Sequence, residues 1–62
     1  MPEVYIHAYE GRTLEQKRKL VKAVTDAVTD SLNVKPEVVM VQIIEGKREN
    51  RAVAGVLATD MT

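Results

Sequence analysis

The most constraining feature of this chain is one apolar run with too little helix to cover it. Residues Val38 to Ile44 read Val-Val-Met-Val-Gln-Ile-Ile, with Gln42 the single polar member. A strand so continuously apolar has both faces covered. Ahead of it, Glu3 to Tyr9 alternates, with Val4, Ile6 and Ala8 on one face and Tyr5, His7 and Tyr9 on the other. That period of two, rich in β-branched and aromatic residues, marks a strand. Between them lies one amphipathic helix. Thr13 to Gln16 has the Thr-x-x-Gln form of a capping box. Leu14, Val21, Val24, Val28 and Leu32 recur at helical spacing as an apolar stripe, and Arg18, Lys22, Asp26 and Asp30 make a solvated face. Glu15 and Lys19 are spaced as a favourable i,i+4 pair. Asn33 suits a helix C-cap, and Pro36 cannot continue the helix. Strand, helix and strand in this order predict a βαβ unit of the α/β (α+β) class, with parallel strands and a right-handed crossover. One helix covers one sheet face. A partner subunit is the economical cover for the other.

Size argues the same way. A 62-residue chain reads as one domain, residues 1–62. Chains of this size bury only about 60% of the surface they expose when unfolded. Scaffolds below about 70–80 residues usually need a disulfide, a metal or a partner chain. Cysteine is absent, which removes disulfides, thiolate zinc sites and thiol nucleophiles together. A single histidine argues against a histidine-rich metal site. Oligomerisation is the remaining staple. The tail from Gly46 to Thr62 opens on a polar loop, Lys47 to Arg51. It continues into the small apolar residues Ala52 to Ala58, read as a short C-terminal hairpin that packs on a neighbouring subunit.

Charge and aromatic content exclude further classes. Nine Lys+Arg balance nine Asp+Glu, whereas a nucleic-acid binder of this size is strongly basic. Tyr5 and Tyr9 are the only aromatic side chains, too few for base-stacking platforms. No apolar run approaches the roughly 20 residues of a membrane span. The start, Met-Pro-Glu-Val-Tyr-Ile-His, lacks the basic and apolar regions of a signal peptide. A cytoplasmic protein with no membrane or nucleic-acid partner is expected.

Two residues stand out chemically. Pro2 follows the initiator Met1; with Met1 removed, it carries a free secondary amine at the start of a strand. The ring fixes that amine to the backbone with almost no conformational freedom. Desolvation and a nearby cation both lower an amine's pKa, which makes it a usable general base near neutrality. Arg12 follows the strand at its turn into the helix, and its guanidinium fork suits bidentate grip of a substrate carboxylate. His7 and Tyr5 share the strand face with Glu3 and Tyr9, and read as packing rather than acid–base residues.

These residues, with Ile6-His7, Glu10-Gly11-Arg12, Glu15-Gln16-Lys17, Ser31-Leu32, Val41, Ile43, Glu45 and Gly55, resemble the 4-oxalocrotonate tautomerase family over nearly the whole chain. The resemblance implies βαβ protomers that pair into dimers, with three dimers making a hexamer. It implies that Pro2 shuttles a proton between positions of a dienol or unsaturated keto acid. It also implies that Arg12 binds a substrate carboxylate from a neighbouring subunit, without metal or organic cofactor. The expected activity is tautomerisation of a 2-hydroxymuconate-like acid, the route of an enzyme of aromatic catabolism.

Two positions depart from the family pattern. An arginine early in the second strand, which polarises the 2-keto or 2-hydroxy group, is replaced by Met40. An aromatic residue ahead of the hairpin is replaced by Arg51. Three readings follow. Arg51 or Arg48 supplies the missing charge and changes substrate choice; a different subunit completes the site in a heterohexamer; or the scaffold persists without the activity. A further rival is a hydratase or dehalogenase of an acrylate-type acid, in which Pro2 stays protonated and acts as an acid.

Overall fold

The alternation in residues 3–9 and the apolar run after Pro36 do form the two strands of a parallel pair. The structure is a computed structural model and describes residues 1–61, so the last residue of the expected 1–62 domain lies outside the described residues. Strand β1 spans Glu3–Tyr9, helix α1 spans Leu14–Leu32 and strand β2 spans Met40–Gly46. β1 and β2 pair in register from Glu3 opposite Met40 to Tyr9 opposite Gly46. A tight hairpin follows, with β3 at Ala52–Val53 and β4 at Val56–Leu57. Its turn is Ala54-Gly55, both with positive φ (54° and 81°). A two-residue turn of that hand matches the twist of the flanking strands. The βαβ protomer and the short C-terminal hairpin are as expected.

The helix signals act where they were read. The Thr13 side chain accepts from the Gln16 N–H at 3.1 Å, and Gln16 Oε1 accepts from the Thr13 N–H at 2.8 Å. Asn33 closes α1 in the left-handed conformation (φ 54°, ψ 51°), its N–H bonded to the Thr29 carbonyl. Two local expectations shift. Glu15 pairs with Arg18, at i,i+3, instead of Lys19. The second strand begins at Met40 and not at Val38, because Pro36–Val38 coil into a 3₁₀ turn. At its other end β2 runs on to Gly46, since β1 offers ladder partners as far as Tyr9. Apolar side chains marked where burial is wanted; the hydrogen-bond ladder obeys backbone geometry.

Partners opposite one another in a parallel pair point to the same face. Val4, Ile6 and Ala8 therefore share a face with Val41, Ile43 and Glu45. That face lies under α1, as the Lys17 Nζ–Glu45 Oε1 ion pair at 2.7 Å requires. Val21, Val24 and Val28 of the helical stripe are half-buried against it. Leu14, Leu20 and Leu32 stay exposed at 61%, 39% and 59%. The opposite face of the sheet carries Tyr5, His7, Met40, Gln42 and Ile44, turned away from α1.

No described residue is fully buried, polar or apolar. The accessible surface is 5061 Å², against about 4000 Å² for a compact folded chain of this mass. The radius of gyration is 14.9 Å, where a globule of 62 residues has about 11 Å. The protomer by itself is extended and open.

Candidate active site

Parallel pairing decides where each candidate residue goes. Pro2 immediately precedes β1 and is half-buried; its carbonyl accepts from the Met40 N–H at 3.0 Å. Pro2 therefore sits at the head of the ladder, with Met40 beside it on the neighbouring strand. While Met1 is attached, the Pro2 nitrogen is an amide and holds no basic lone pair.

Arg12 lies at the other end. The Glu10 N–H donates to the Gly46 carbonyl at 3.0 Å, closing the ladder, and Gly11 turns the chain with φ 113°. Arg12 and the Thr13 cap follow. The seven residues of β1 span roughly 20 Å at 3.3 Å per residue. Pro2 and Arg12 of one chain are thus held at opposite ends of the sheet, too far apart for a side chain to bridge.

Arg48 and Arg51 share the Arg12 end but have different surroundings. Arg48 opens and Arg51 follows a 3₁₀ turn, Arg48–Asn50, with the Arg51 N–H on the Arg48 carbonyl. The Arg48 guanidinium sits 4.2 Å over the Tyr9 ring centroid, a cation–π arrangement that fixes its direction. Arg51 lines the larger cavity, about 560 Å³, with His7, Tyr9, Ile44, Lys47 and Asn50. Arg48 lines a smaller one of about 370 Å³ with Tyr9, Glu10 and Thr59. Neither Pro2 nor Arg12 lines either cavity, so neither cavity brings the four together.

Charge is segregated along the ladder. At the Arg12 end, ion pairs link Lys17 to Glu45, Arg18 to Glu15 and, at 4.0 Å, Lys47 to Glu49. Among the described residues Arg12, Arg48 and Arg51 make no ion pair. At the Pro2 end the nearest acid is Glu3, whose Oε1 accepts from the Tyr5 hydroxyl at 2.7 Å. That hydrogen bond, with the carboxylate's charge behind it, raises the Tyr5 pKa above its ordinary value. No described cluster of three or more His, Asp or Glu gathers as a metal site, and no described helix is long and apolar enough to cross a membrane.

Two contacts escaped the sequence reading. Tyr9 as a platform for Arg48 left no signal, because the residues are far apart in the chain. Lys17 with Glu45 is equally non-local, although both fall among residues that resemble the family.

A proline heading β1, a glycine-turned arginine at its end and a capped helix form one ordered unit. A family profile described as "Tautomerase enzyme" matches residues 2–61, starting at that proline. The chain belongs to the tautomerase family. The 2-hydroxymuconate tautomerase of Bacillus subtilis is 44% identical over 61 residues, 98% of each chain. A crystal structure of a 4-oxalocrotonate tautomerase homologue superimposes with a TM-score of 0.92 at 43% identity, covering 98% of this chain and 100% of that one. A heterohexamer 4-oxalocrotonate tautomerase from Chloroflexus aurantiacus superimposes at 0.90 with 27% identity, each chain fully covered. The 4-oxalocrotonate tautomerase resemblance and the fold it implied both hold for this tautomerase-family chain.

Proposed function

We propose that this chain, as one domain over residues 1–62 with Met1 removed, is a cofactor-independent isomerase. Its substrate is a small unsaturated 2-keto or 2-hydroxy acid, and the Pro2 amine is the general base. The observation that carries the reading is the position of Pro2. It is the first residue matched by the family profile, and a backbone hydrogen bond to Met40 holds it at the head of the sheet.

The chemistry balances without a redox partner. Pro2 nitrogen takes the enol hydroxyl proton, the oxygen's electrons close the carbonyl, and the conjugated double bonds move along. The distant carbon then collects the proton from the prolyl ammonium. Arg12 grips a carboxylate, and Arg51 or Arg48 stabilises negative charge that develops on the enolate oxygen. A cation near Pro2 also favours the neutral amine.

Because Arg12 and Pro2 of one chain lie at opposite ends, the working site forms between copies. The open sheet face and the excess exposed surface support a homo-oligomer, a hexamer built as three dimers. The Chloroflexus heterohexamer motivates a second reading, in which a different subunit completes the site. Native mass spectrometry of the purified chain separates them: six identical chains support the first, and failure to assemble alone supports the second.

The direct test assays purified protein with 2-hydroxymuconate beside Pro2→Ala. Loss of about 10²–10⁴-fold in rate is expected for removal of a general base. Equal rates sink the mechanism, and so does an intact mass that retains Met1.

A further inference from the structure

We infer that the site selects a mono-acid with an apolar tail over a di-acid, with Met40 as the specificity-determining residue; the inference rests on the reading of Pro2 as base. The argument is the unequal chemistry of the two walls that meet in a site between copies. One wall is the Arg12 end of one copy. Its acids Glu15, Glu45 and Glu49 are engaged by Arg18, Lys17 and Lys47, and Glu10 and Asp60, unpaired among the described residues, are outnumbered by the guanidiniums Arg12, Arg51 and Arg48, the last held over Tyr9. That wall holds one carboxylate well.

The other wall is the Pro2 end of the second copy. The Lys17–Glu45 pair sets the start of α1 at the far end of the sheet, so the helix C-terminus returns to the Pro2 end. What it brings there is apolar or acidic. Leu32 is 59% exposed, Val38 is 37% exposed and Met40 is half-buried beside Pro2. The last turn of α1 has no basic residue. The acids at this end are Glu3, Asp30 and Glu37, against a single cation, Lys35, in the loop before Pro36. Glu3 stands opposite Met40 in the ladder. A second carboxylate directed past Pro2 onto Leu32, Val38 and Met40 would shed water, meet no guanidinium of this copy and approach Glu3, all unfavourable. An aryl or alkyl tail gains by covering Leu32, Val38 and Met40.

The test compares kcat/KM for phenylenolpyruvate, a mono-acid with a phenyl tail, and 2-hydroxymuconate, a di-acid, on the processed oligomer. The wild-type ratio should favour the mono-acid by about tenfold or more, the worth of one charge-assisted contact that the di-acid lacks. Met40→Arg should move the ratio towards the di-acid by a similar factor. Taking the ratio on one preparation cancels any loss of folded protein. A wild-type preference for the di-acid, or a ratio unmoved in Met40→Arg, overturns the inference. The Pro2 reading survives that result if Pro2→Ala still abolishes turnover. If wild type turns over neither compound, the Pro2 reading fails and the selectivity is judged by binding alone. Calorimetry with the inert acids 3-phenylpropanoate and hexanedioate then decides: tighter mono-acid binding supports the inference, and equal or tighter di-acid binding overturns it.

Discussion

The two ends of the β1–β2 ladder use the same two strands for opposite purposes. At the head, Pro2 is tied to Met40 by backbone alone, and Glu3 follows it opposite Met40 in the ladder. At the foot, paired charges lock the helix start to the sheet through Lys17 and Glu45; Arg12 and Arg51 make no ion pair among the described residues, and Arg48 lies over Tyr9. In the proposed mechanism the head offers a base and apolar surface, and the foot offers grip. Segregating them along roughly 20 Å of strand means that neither end is a site by itself. Function and assembly then become the same question in the proposed mechanism.

That comparison can be broken in steps. The largest effect after loss of Pro2 itself should come from Arg12→Ala, with kcat/KM falling about 10–100-fold through the lost carboxylate contact. Mixing makes the test sharper. Co-expressed Pro2→Ala and Arg12→Ala chains should turn over faster than either variant alone, because a site between copies can combine an intact head with an intact foot. No gain would mean that the two ends do not meet. A smaller effect is expected from Thr13→Ala, which removes the cap that follows Arg12. Urea unfolding at fixed protein concentration should show a loss of about 1 kcal/mol.

The smallest effect probes the head. The hydrogen bond to Glu3 raises the Tyr5 pKa in the folded chain. Its stabilisation is therefore fully present below the ordinary tyrosine value of about 10 and is lost as pH rises through the folded value. In Glu3→Gln the alkaline midpoint of Tyr5, followed by the NMR shift of its ring carbons, should fall. An unchanged midpoint would remove the Glu3 contact from the description of this end.

Much of the protomer was legible because its signals are local. The capping box at Thr13–Gln16, the αL cap at Asn33 and the alternation of β1 each depend on neighbours within a few residues. The start of β2 is not legible from side-chain polarity, because Pro36 acts on the backbone and diverts Val38 into a 3₁₀ turn. The apolar stripe of α1 was read as one face. In the protomer only its middle, Val21 to Val28, meets the sheet, because strands of seven residues are shorter than the helix above them. Pro2 and Arg12 were legible as candidates from residue type and from the family resemblance. Arg48 and Arg51 were legible only as a pair.

By itself, the sequence determined the order of elements, the ends of the helix, the parallel pairing and the need for cover on a second sheet face. These follow from short-range backbone preference and from counting apolar faces. Tertiary structure alone decided that Met40 stands beside Pro2 while Lys17 meets Glu45 at the Arg12 end. It also decided that Arg48 is spent on Tyr9 while Arg51 opens into the larger cavity. The physical reason is that a parallel crossover returns the chain to the same end of the sheet, so β2 starts beside Pro2 and ends beside Tyr9, bringing together residues far apart in sequence. Contacts such as Arg48 with Tyr9 exist only once that return is made.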